Sequence, residues 1–140
     1  MKQVLYLAVV AVALSACGGP NEPDVDVAAP AVAGPGEVTN CGTFVLSQGE
    51  GLSERAVRCF VDAVQAGRPV RLKETSPTTE GDPIITTYEA GVDGRVEIVT
   101  DSRQDNFGPQ IISQHTCTGP TPRPGMIDFA QCSEPTPVAS

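Results

Sequence analysis

Four carboxylates and one aromatic ring sit on two short polar stretches: Glu80 and Asp82 in TTEGDP, and Asp101, Asp105 and Phe107 in DSRQDNFG. The stretches flank two β-prone runs, residues 83–90 and 95–100, joined by the turn Gly91-Val92-Asp93-Gly94. Asp-Gly between alternating runs is a strong hairpin signal. In an antiparallel hairpin the outer strand ends meet at one edge, so this spacing brings the four carboxylates together, with Asn106 close by. Three chemistries compete for them. A convergent oxygen cluster outside the cell suits Ca²⁺, which takes six or more oxygen ligands, although the spacing is not that of an EF-hand. A carboxylate pair is the minimum for glycoside hydrolysis, but that reaction also needs a cleft, and the chain has no Trp to line one. The simplest reading makes Asp and Gly structural turn formers, with Arg103 neutralising the cluster; a separate one has the exposed loops contact a protein or ligand.

Nucleophilic and metal chemistry find less support. His115 is the sole histidine, on a predicted strand without a Ser or Cys in a recognised triad arrangement. No phosphate loop or dinucleotide fingerprint is present. An enzyme is therefore not expected. Four of the five cysteines, Cys41, Cys59, Cys117 and Cys132, lack CxxC spacing, which argues against a zinc centre. An even number in a small exported domain reads as two disulfides. Cys41–Cys59 with Cys117–Cys132 is favoured, because each pair is near in sequence and straddles a turn or bend. The alternative is Cys59–Cys117 with Cys41–Cys132.

The fifth cysteine has a different setting. Residues 4–14 (VLYLAVVAVAL) follow Met1-Lys2 and form an apolar run too short to span a bilayer, which takes about 20 residues. Residues 1–16 read as a signal peptide. Leu14-Ser15-Ala16-Cys17 resembles the bacterial lipobox, which implies thioether lipidation at Cys17, cleavage before it and acylation of the new amino terminus. Two or more acyl chains give stable membrane anchoring where one does not. Residues 17–40 are rich in Gly, Pro, Ala and acidic residues without apolar periodicity, and read as a tether. The chain carries a net charge of −8; without Lys2 of the leader it has eight basic against 17 acidic residues, or −9. That balance disfavours nucleic acid or an anionic membrane surface as a partner.

The folded part is expected over residues 41–132, with a disordered tail at 133–140. Residues 41–46 form a short β-prone run. Ser53 is a suitable N-cap, Ala56, Val57, Phe60, Val61 and Val64 share one helical face, and Gly67 with Pro69 ends the helix. Strands follow at 70–75, 83–90, 95–100 and 110–117, then a Pro-rich bend and an edge strand at 126–132. The expected architecture is α+β: one helix packed on a small antiparallel sheet of four to five strands, stapled by disulfides.

The runs TEGDPI (79–84) and D-x(3)-D-x-F-G (101–108), with the hairpin between and Cys117 after, resemble the domain of unknown function 4362 family of small bacterial lipoproteins. The resemblance covers about residues 50–120. It implies an extracytoplasmic lipoprotein with an α+β fold and carries no activity. The reading is a lipid-anchored extracytoplasmic module that binds an envelope protein or ligand through Glu80, Asp82, Asp101, Asp105 and Phe107. The alternatives are a Ca²⁺-stabilised structural envelope protein and, least supported, a small hydrolase. No cofactor is expected unless it is Ca²⁺.

Overall fold

The computed structural model describes residues 36–138. The leader, Cys17 and most of the tether lie outside the described residues. The chain folds as β1 (Thr39–Val45), α1 (Glu54–Gln65), β2 (Val70–Pro77), β3 (Pro83–Ala90), β4 (Val96–Asp101), β5 (Ile112–Arg123), β6 (Met126–Cys132) and β7 (Thr136–Pro137).

The helix forms where its chemistry places it. Ser53 stands in extended conformation and its Oγ accepts the Ala56 N–H at 3.2 Å, while Glu54 lies in the first turn, where a carboxylate complements the helix dipole. Gly67, with φ +63°, ends it, and the N–H groups of Gly67 and Arg68 return to the carbonyls of Val64 and Ala63. The face carrying Ala56, Val57, Phe60, Val61, Ala63 and Val64 is buried on Val70 and Leu72 of β2, Ala90 of β3, Val96 and Ile98 of β4 and Cys117 of β5.

The sheet departs from the expected α+β arrangement in three ways. It has seven strands, ordered β1-β2-β3-β4-β5-β6, with β7 beside β5. It is mixed: β1 runs parallel to β2, with α1 as the crossover between them, and the other pairs are antiparallel. It is also curled into a half-barrel. The one helix touches β1 and β2 at one edge and β5 and β6 at the other. A flat sheet would separate β1 from β6 by about 24 Å, and a helix is only about 10–12 Å across. Among the described residues the fold is thus mostly β, a curled sheet wrapped around a single short helix.

The segment read as a Pro-rich bend is the far half of β5, where Pro120 and Pro122 stand opposite Phe129 and Ile127 of β6. The pairing of β4 with β5 stops at Val96–Cys117, so from Thr118 onward β5 pairs with β6 alone. A strand paired on one side tolerates residues without an N–H. Thr136–Pro137, in the stretch read as a disordered tail, pairs with Ser113 and Gln114, and Val138 N–H donates to the Ile112 carbonyl. Leu52, just before α1, bridges to the turn between β5 and β6, its N–H donating to the Gly125 carbonyl at 2.9 Å. A Cβ at Gly51 would sit 2.6 Å from the Gly125 backbone, so this crossing requires glycine.

Two disulfides, Cys41–Cys59 and Cys117–Cys132, join the partners nearest in sequence. The first ties edge strand β1 to α1; the second links directly opposed residues of β5 and β6.

Candidate functional site

Thr78 to Asp82 connects β2 to β3, and Ser102 to Ile111 connects β4 to β5. Meander topology puts both connections at one end of the sheet, opposite the Gly91–Gly94 turn. The first loop is a compact turn. Thr78 N–H donates to the Asp82 carbonyl at 2.8 Å, Gly81 N–H to the Thr78 carbonyl at 3.0 Å, and the Thr78 hydroxyl accepts the Asp82 N–H at 3.1 Å. Gly81, with φ +98°, holds the left-handed position. The second loop is braced by the Ser102 hydroxyl, which donates to the Pro109 and Ile111 carbonyls at 2.6 and 3.0 Å.

One side chain joins the loops. The Asp82 carboxylate accepts the Asn106 backbone N–H at 2.8 Å on Oδ2 and the Asn106 side-chain amide at 3.0 Å on Oδ1. Asp105 turns inward on its own loop, its Oδ1 accepting the N–H groups of Phe107 and Gly108, both at 2.9 Å. A Cβ at Gly108 would collide with the Asp105 carboxylate, which explains the glycine after Phe107. Asp101 lies at the end of β4 and is taken up by Arg103, at 2.9 Å from Nε and 2.7 Å from Nη2. Glu80 is exposed at the first turn, and Phe107 is 77% exposed.

The four carboxylates therefore share an edge without forming one cluster. Asp82, Asp101 and Asp105 each accept from nitrogen donors, as turn-forming carboxylates do. Among the described residues, the one group of three His, Cys, Asp or Glu side chains close enough to share an ion is His115, Cys117 and Cys132, elsewhere in the fold. A third loop, missed from sequence, reaches this edge: Gln48 donates its amide to the Thr79 carbonyl at 3.2 Å. The parallel placement of β1 carries residue 48 there, and only that topology would have pointed to it. A surface depression of about 310 Å³, lined by Val38, Val70, Arg71, Glu89, Ala90, Gly91 and Glu97, includes none of the candidate residues.

The Arg103 hydrogen bond holds the Asp101 carboxyl below the usual range, with slight burial opposing it. A depressed carboxylate adds stability that is present above its unfolded pKa and lost as pH falls through the folded one. The small difference in melting temperature between the native chain and Arg103→Gln is therefore expected at neutral pH and should vanish in acid. A gap that persists once Asp101 is protonated would assign it to packing.

The model of a family described as a domain of unknown function (DUF4362) matches residues 45–120. The chain belongs to this family. The match spans both loops, the hairpin between them and α1. No curated protein and no solved structure matches the chain. The two disulfides are compatible with an extracytoplasmic setting for this family member. Among the described residues no helix is long and apolar enough to cross a membrane.

Proposed function

We propose that this member of the family is an extracytoplasmic interaction module, anchored through a lipidated Cys17, that contacts an envelope protein through its paired-loop edge. The observation that carries this reading is the Asp82–Asn106 clamp beside Phe107. Two loops are fastened to each other by two hydrogen bonds, and the aromatic ring next to the clamp stays in solvent. An exposed ring on a braced loop loses little freedom on binding, and aromatic residues dominate the energetics of protein interfaces. Glu80 gives that edge an acidic rim, which favours a partner with a basic patch and disfavours nucleic acid. The lipobox-like run supports the anchor. No catalytic role is assigned to the loop carboxylates, and a Ca²⁺-stabilised role draws less support, since a cation here would displace the N–H donors of Asp82, Asp101 and Asp105.

Photo-cross-linking in the living cell tests the reading. A photoreactive residue at position 107 should capture one dominant envelope protein. The same residue at position 92, equally exposed at the opposite end, should not. Equal capture from both positions, or none from 107, would remove this edge as the contact surface.

A further inference from the structure

Cys117 and Cys132 are directly opposed on β5 and β6, and His115, two residues before Cys117, lies on the same strand face. The ligand atoms of the three side chains lie within 4.8 Å of one another. The His115 Nδ1 atom is buried and has no hydrogen-bond partner. A buried polar nitrogen left unpaired is costly and calls for an explanation. The strands around the disulfide are also held without it: Ser133 N–H donates to the Thr116 carbonyl at 2.9 Å, and the Ser133 hydroxyl accepts the Thr116 N–H at 3.0 Å. Opening the S–S bond thus leaves the two sulfurs facing each other next to the imidazole.

We propose that His115, Cys117 and Cys132 form a thiol-gated site for a thiophilic cation of the Zn²⁺ class. A dithiol reductant passes two electrons and two protons to the Cys117–Cys132 bond and is itself oxidised to a disulfide. The resulting thiols release their protons as thiolates bind the metal, and the neutral imidazole supplies the third ligand. Cys117 is fully buried and Cys132 is exposed, so the open fourth position faces solvent, where water completes a tetrahedral set. Disulfide and metal use the same two sulfurs and exclude each other. The oxidised chain is the metal-free state, and a bound cation protects the reduced one. Sequence spacing hides such a site, because its ligands come from two strands and include no CxxC.

Cobalt titration of the full chain, reduced anaerobically with a phosphine, tests this. A sulfur-to-cobalt charge-transfer band should saturate at one ion per chain, bleach on addition of Zn²⁺ and be absent from the oxidised chain. His115→Ala and His115→Gln should each weaken binding by about tenfold or more, the scale on which metal sites respond to lost support. Zn²⁺ should shield Cys117 and Cys132 from alkylation and leave Cys41 and Cys59 reactive. Absence of the band, shielding of Cys41 and Cys59 instead, or undiminished binding by both His115 variants would each overturn the proposal.

Discussion

Phe60→Ala should lower the unfolding free energy by about 3–5 kcal/mol, the range for a fully buried Phe replaced by Ala. Phe60 has no exposed surface and heads the large side chains of the core. Its ring meets Tyr88 edge-on, with centroids 5.9 Å apart and planes at 67°, a geometry that adds about 0.5–1.5 kcal/mol beyond burial. The rest of the core is mostly Val and Ala, short side chains that reach poorly into a cavity of that size. A small domain has only about 5–15 kcal/mol to lose, so this is a large share of its stability. Urea titration is the check: the midpoint should fall with the slope unchanged. Phe60→Leu, which keeps most of the volume, should cost clearly less. A loss below about 1 kcal/mol for Phe60→Ala would mean that α1 does not plug the sheet.

Cys41→Ala with Cys59→Ala should cost about 3 kcal/mol, from the unfolded-state freedom returned to an 18-residue loop. In a domain of about a hundred residues that corresponds to a fall of about 12–24 °C in melting temperature. The bond carries particular weight because β1 is an edge strand with one neighbour, β2. Its ladder is irregular, with a register shift between Asn40 and Thr43 around Gly42, where φ is +113°. Without the bond, β1 should fray first. Hydrogen exchange should show faster exchange at the Thr39 and Leu46 N–H groups, which bond the Pro69 and Thr75 carbonyls. Unaltered exchange at both would show that β2 alone holds the strand.

What the sequence made legible was local. Ser53, the face from Ala56 to Val64 and Gly67 encode the helix within one short segment, and β3 with β4 is a hairpin written around Asp93-Gly94. The expected antiparallel α+β sheet failed where pairing is non-local. Nothing in residues 41–46 indicates that their partner lies beyond a helix and runs parallel. The prolines at 120 and 122 suggested a bend, since the absence of a neighbour on that side of β5 follows only from where β4 begins. The candidate edge divides in the same way. Meander order brings the two loops together, and that was readable from the hairpin. Which carboxylate bridges them was not, because Asp82, Asp101 and Asp105 are alike in sequence and differ only in the donor each meets: Asn106 of the other loop, Arg103, or the adjoining backbone.

The edge strand has a mechanical consequence. Tension entering at the N-terminal end of β1 meets only Thr39 and Asn40 before Cys41, whose covalent bond passes the load to Cys59 in the middle of α1. Past that point pulling cannot peel β1 residue by residue; it has to drag the helix out of the curled sheet as a unit. A pull at that end is thus converted from unzipping, which is easy, into extraction of the core, which is hard, and the paired-loop edge beyond it stays in register under strain.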